Sequence, residues 1–179
     1  MPISQEIMQR FKKEDLTVFL ETGTGGGVAC NLALNCGFKE IYSCDLSKDL
    51  SAQAMSHISK HANFAKTIIR LQVMDSRDFL RAYLENEMNA FVWLDAHYSY
   101  GNTMGSLADD PLMQELEIIA KARNEGRFTG VVLVDDCRGR EKFVADKIIE
   151  QFKGVQFAWQ ADPWSPTDIA VIPLYRSSL

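Results

Sequence analysis

Residues 19–27 read FLETGTGGG: an apolar run ends in the carboxylate of Glu21, and Gly23, Gly25, Gly26 and Gly27 follow with Thr24 set among them. A glycine loop directly after such a run is the signature of the first strand–loop–helix crossing of an α/β sheet. Glycines there let main-chain amides approach a ligand closely and permit backbone angles closed to other residues. The spacing does not fit the dinucleotide pattern G-x-G-x-x-G. Counted from Gly23 the third glycine falls on Val28, and counted from Gly25 it falls on Cys30. An acid just ahead of the glycines also sits badly beside a pyrophosphate. It suits a cationic ligand carrying a free amino group.

The rest of the chain repeats the same alternation. Residues 17–22 predict a buried strand, and the helical spacing after it stops at Gly37. Residues 40–45 (EIYSCD) predict a second strand, and Ser47 caps a helix to about residue 62. Residues 67–74 form a third strand, with Ser76 capping the helix RDFLRAYLENE. Residues 90–95 (AFVWLD) form a fourth, Pro111 opens a helix ending near Gly126, and residues 130–136 (GVVLVDD) form a fifth. A helix follows over 141–154, and the tail VQFAWQADPWSPTDIAVIPLY predicts two strands joined by a proline-containing turn. Continuously apolar strands alternating with helices imply a parallel sheet covered on both faces. The last two strands lack a helix between them and are therefore antiparallel neighbours. The expected fold is a doubly wound, Rossmann-like, mostly parallel seven-stranded α/β sheet, in one domain spanning residues 1–179.

Bulk properties narrow the partners. The formal charge is −5, with 46% hydrophobic and 24% charged residues, and the basic residues form no stripe, so no nucleic-acid partner is expected. No segment approaches the ~18 apolar residues needed to span a bilayer, and the amphipathic N-terminus lacks a signal-peptide core. Cys30, Cys36, Cys44 and Cys137 contain no CxxC pair and read as reduced core residues. The expectation is a cytoplasmic protein without a membrane partner.

Asp45 ends the second strand twenty residues beyond Gly25, where an acid can accept hydrogen bonds from both ribose hydroxyls of an adenosine. Asp75 and Ser76 follow the third strand, where an adenine amino group would lie. ETGTGGG, SCDLS, MDSRD and WLDAH, in that order, resemble the motifs of the class I S-adenosylmethionine (SAM)-dependent methyltransferases from about residue 15 onward. That resemblance implies SAM as cofactor. It places Glu21, Gly23, Thr24, Gly25 and Gly27 by the methionine moiety and Asp45 with Leu46 at the ribose; Asp75, Ser76 and Asp95 complete the pocket.

Asp95, Asp135 and Asp136 end the fourth and fifth strands and converge on the same rim. Three carboxylates repel one another unless a cation neutralises them or a proton is shared, and all-oxygen ligation favours a hard ion such as Mg²⁺, Ca²⁺ or Mn²⁺. The layout is similar to that of cation-dependent O-methyltransferases, which implies Asp95, Asp135 and Asp136 as metal ligands. Tyr98 stands where that family has a lysine, leaving His97 as the candidate base, with Asp95 beside it in the catalytic set. His57 and His61, at i and i+4 on the second helix, read as solvent-facing. Residues 97–110, with Tyr98, Tyr100, Gly101 and Gly105, and the turn 161–168, with Trp164, are the expected walls of the acceptor site.

Together these readings predict O-methylation of a small hydroxylated acceptor, sugar-like or natural-product-like. Homo-oligomerisation would supply a missing wall. Two alternatives differ in class: a SAM- or S-adenosylhomocysteine (SAH)-binding module without turnover, and an NAD-dependent oxidoreductase, which the failed glycine pattern opposes.

Overall fold

The computed structural model describes residues 3–96, 110–161 and 167–175. Ser4 opens the first helix, α1 (Gln5–Phe11), its hydroxyl accepting from Ile7 N at 3.2 Å. Five βα units follow: β1 (Val18–Thr22) and α2 (Val28–Asn35), β2 (Glu40–Asp45) and α3 (Lys48–Ile58), β3 (Ile68–Val73) and α4 (Ser76–Tyr83), β4 (Met88–Leu94) and α5 (Leu112–Asn124), β5 (Phe128–Val134) and α6 (Glu141–Gln151). The chain closes with β6 (Ala158–Gln160) and β7 (Ile169–Leu174). No helix among the described residues is long and apolar enough to cross a membrane.

The strand order is β3-β2-β1-β4-β5-β7-β6, and β7 alone runs against its neighbours. This is the expected seven-stranded, mostly parallel sheet. One core packs α1, α2 and α3 on one face, around Phe19, Phe38, Phe91 and Trp93. The other packs α4, α5 and α6 on the opposite face, around Phe79, Leu116, Phe128 and Ile148. Strand order reverses between β1 and β4, so a crevice opens at their carboxyl ends, where Glu21, Asp45, Asp95 and Asp135 all lie.

Element ends differ from the sequence expectation in four places. α3 stops at Ile58 and not near 62, so His61 lies in the turn beyond it. α4 stops at Tyr83, well short of Glu87. Asp75, not Ser76, caps α4, because its carboxylate accepts from Arg77 N at 2.8 Å while Ser76 enters the first turn. The penultimate strand is three residues long, so most of the stretch before Ala158 is irregular.

Candidate functional site

Register decides what each rim residue faces. Glu21 pairs laterally with Ser43 on β2 and Trp93 on β4, which puts its side chain on the α1–α3 face. There it is 1% exposed, and its Oε2 accepts from Ser43 Oγ at 2.6 Å and from the Cys30 thiol, on α2, at 3.0 Å. Thr24 Oγ1 lies 2.6 Å from Ser43 Oγ, so the Thr24 hydroxyl turns into this network and only its main chain is left for the crevice. Burial raises the Glu21 pKa from 4.5 to about 7, against the two hydrogen bonds, with the nearby Asp45 charge adding to the rise. Glu21 is thus a proton-holding floor beneath the glycine loop. Cys30 and Ser43 had no role in the sequence reading, because only the strand register and the α2 crossing bring them to Glu21.

The four glycines divide by what surrounds them. A Cβ on Gly23 would stand 2.3 Å from the Asp95 carbonyl oxygen, and one on Gly27 2.9 Å from Ala54 Cβ on α3. Those two positions let strands and helices approach. Gly25 (φ 48) and Gly26 face open space, with nothing within 4 Å of a built Cβ. Gly25 N donates to Asp45 Oδ2 at 2.9 Å, and Ser47 N donates to Asp45 Oδ1 at 2.8 Å. One half-buried carboxylate therefore joins the glycine loop to the head of α3. Leu46 beside it is 49% exposed, an apolar surface at the crevice edge.

Asp75 is bound within its own helix start. Arg77 Nε donates to Oδ1 at 2.8 Å and Nη2 to Oδ2 at 2.5 Å, while Arg77 Nη1 reaches Gln114 Oε1 on α5 at 2.8 Å. The Arg77 hydrogen bond holds the Asp75 carboxyl below its ordinary range. Ser76 is 6% exposed.

Asp95 follows β4, its N–H donating to Thr22 O at 3.0 Å. Burial, then the charges of Asp135, Glu21 and Asp136, pushes its pKa well above the usual carboxylate range. Asp135 is 2% exposed, and Asp136 stands in the left-handed region with φ 49.

The grouping of acids departs from the metal expectation. Among the described residues, Asp135, Asp136 and Asp168 are the acids whose oxygens come within 4.8 Å of one another; Asp95 is not part of that group. Asp168, at the head of β7, is fully buried and went unnoticed in sequence because antiparallel β7 pairing brings it there. Cys137 N donates to Asp168 O at 2.8 Å, fixing the strand head against the β5–α6 loop. Arg138 stands beside two of the three, Nε 2.8 Å from Asp168 Oδ1 and Nη2 3.4 Å from Asp136 Oδ1. The oxygens of the expected Asp95–Asp135–Asp136 set are thus not gathered within 4.8 Å as one group, and the Arg138 guanidinium stands beside two acids of the group that is.

His57 and His61 do not share a helix face. His57 Nδ1 lies 3.3 Å from Asn31 Nδ2, and His61 Nε2 lies 2.9 Å from Asn35 Oδ1 on α2. His97, Tyr98, Tyr100, Gly101, Gly105 and Trp164 lie outside the described residues.

No protein-family model and no curated protein matches the chain. Solved structures do. The methyltransferase domain of bacterial CtHen1-C superposes with a TM-score of 0.64 at 14% identity, over 96% of this chain and 96% of that one. An rRNA methylase from Streptococcus thermophilus gives 0.60 at 13% identity, over 96% and 94%. A Streptococcus mutans protein described as a methyltransferase, solved in complex with SAH, gives 0.62 at 13% identity, over 94% and 93%. Strand order, crevice and these superpositions agree: the chain has the fold of the class I SAM-dependent methyltransferases.

Proposed function

We propose that this protein transfers the methyl group of SAM to a hydroxyl of a small acceptor. The observation that carries the reading is the Gly25–Gly26 opening, joined to the Asp45 carboxylate at 2.9 Å, above the buried Glu21 at the sheet's switch point. Gly25, Gly26 and the main chain of Thr24 take the aminoacyl end of the cofactor, with Gly23 and Gly27 shaping the loop. Asp45 takes the ribose hydroxyls through the lone pairs its two amide bonds leave, and Leu46 packs against the adenosine. Asp75 and Ser76 close the adenine end, where Arg77 holds Asp75 in place. Glu21, whose pKa burial raises to about 7 in the empty site, ionises more fully to meet the ligand's positive charge.

Methyl transfer from a sulfonium demands an in-line approach, and positioning supplies up to about 7–11 kcal/mol in favourable intramolecular cases. The acceptor hydroxyl must lose its proton as the new C–O bond forms. His97 follows Asp95 by two residues. It is the base in this proposal, and Asp95, with its raised pKa, relays or retains the proton. The protein leaves SAH and the methyl ether as products.

Calorimetric titration with SAM, SAH and NAD tests the reading. Saturable binding of both adenosyl ligands, with none for NAD, is the expected result. Binding of NAD with silence for SAM and SAH would point to an oxidoreductase and end the proposal.

A further inference from the structure

Carboxylates gathered on a protein rim need a counter-charge. Here the chain carries its own. Asp135, Asp136 and Asp168 bring oxygens within 4.8 Å of one another, and the Arg138 guanidinium spans Asp168 at 2.8 Å and Asp136 at 3.4 Å. We propose that Arg138 is the resident cation of this cluster, standing where a divalent metal would otherwise be recruited, so that the site works without one. The part of this statement that concerns methyl transfer rests on the proposed function; the cation assignment does not.

Three features support it. The guanidinium stays protonated at every working pH, donates to Asp136 Oδ1 at 3.4 Å and stands with Nε 2.8 Å from Asp168 Oδ1, so one side chain sets its charge against two carboxylates at once. That charge stands in the space where a hard dication, which wants six or more oxygens, would gather its ligands. A metal at about 2.1–2.5 Å from the same Asp168 oxygen would also stand within about 5 Å of a permanent positive charge. Second, the cluster is assembled by the main chain. Cys137 N to Asp168 O, at 2.8 Å, holds β7 against the loop with no ion needed to bridge them. Third, the fourth acid on the rim, Asp95, lies outside the group that the guanidinium spans. One guanidinium against three carboxylates still leaves a formal excess of negative charge. Removing Arg138 should therefore convert the cluster into a cation site.

Manganese(II) titration followed by electron paramagnetic resonance reads this directly, on the full chain. The wild type should show no saturable Mn²⁺ site up to about millimolar concentration, and its SAH affinity should be unchanged by Mg²⁺ or EDTA. Arg138→Met should gain one Mn²⁺ site at least tenfold tighter than any in the wild type. Arg138→Lys, which keeps the charge, should not gain it, and adding Asp136→Asn to Arg138→Met should abolish it. Mn²⁺ binding to the wild type that disappears in Asp136→Asn overturns the proposal. So does a folded Arg138→Met that remains silent. If Arg138→Met loses its cooperative melt, the wild type and Asp136→Asn, whose side chain is 29% exposed in the native pair, still decide between these outcomes. SAH binding is scored separately, so failure of the cation assignment is distinguishable from failure of the methyltransferase reading.

Discussion

At the scale of single residues, the glycine loop separates into structural and ligand-facing positions, and substitution should separate them too. Gly23→Ala forces a Cβ to 2.3 Å from the Asp95 carbonyl at φ 84, so strand β4 must move. A loss of at least about 3 kcal/mol is expected, combining overpacking with left-handed strain. Gly25→Ala meets open space at φ 48 and should cost only about 1–2 kcal/mol. Its SAH affinity should nevertheless fall at least tenfold. Thermal melts paired with calorimetry check both; equal stability losses would mean the loop has no ligand-facing half. Glu21 makes a second residue-scale prediction. Its folded pKa of about 7 lies above the ordinary 4.5, so between those values the folded chain holds a proton the unfolded chain releases. Stability from this group is therefore present at low pH and lost as pH rises through that window, by at most about 3 kcal/mol. Glu21→Gln should flatten the decline and leave the ligand-free protein about 1–3 kcal/mol more stable at pH 8, read by urea unfolding across pH. The same variant should bind SAH more weakly. Wild-type binding near pH 7 should release about half a proton, detected as a dependence of calorimetric heat on buffer ionisation.

At the scale of elements, strands were legible and helix ends less so. Apolar runs such as AFVWL cannot be solvated on either face, so burial alone fixes them as central strands. Adjacent Asp75 and Ser76 both cap well by type. The carboxylate wins because it also receives the Arg77 guanidinium, a bond that a sequence pattern does not encode. The same limit hid the rim. DDCRGR displayed two arginines, but apart from the local Asp136 their partners lie about 30 residues away, at the heads of β7 and α5. Arg138 meets Asp168, and Arg140 Nη1 meets Asp110 Oδ2 at 2.5 Å. Asp110 Oδ1 meanwhile accepts from Leu112 N at 3.0 Å, capping the first turn of α5. One carboxylate thus fixes a helix start and a partly buried guanidinium together. Asp110→Ala should cost about 2–4 kcal/mol, the sum of a lost cap and a stranded charge. Asp110→Asn, which can still accept from Leu112 N, should recover about 1 kcal/mol of that in urea unfolding. Identical losses in the two variants would show that the cap contributes nothing.

At the scale of the whole molecule, the question is which acceptor the shared fold serves, since an rRNA methylase is among the similar structures. Sheet and crevice do not separate the two classes of acceptor; the small acceptor proposed above rests on charge. The chain carries −5, and Asp45, Asp135 and Asp136 lie at the described carboxyl-end rim of the sheet. The arginines at that rim are each engaged with carboxylates: Arg77 with Asp75, Arg138 with Asp136 and Asp168, Arg140 with Asp110. Residues 97–109 and 162–166 contain no lysine or arginine. An RNA acceptor needs phosphate neutralisation by several cations, each adding about −0.7 to the slope of log affinity against log salt on a single strand. Recruiting the three paired arginines for that task would strand their carboxylates. Fluorescence anisotropy with a labelled single strand and a labelled hairpin, at about 50 mM salt, should therefore show no binding below about 10 μM protein. Tight binding with a slope of two or more would mean a basic surface forms on the complex, and the acceptor would then be sought among RNAs instead of small hydroxylated molecules.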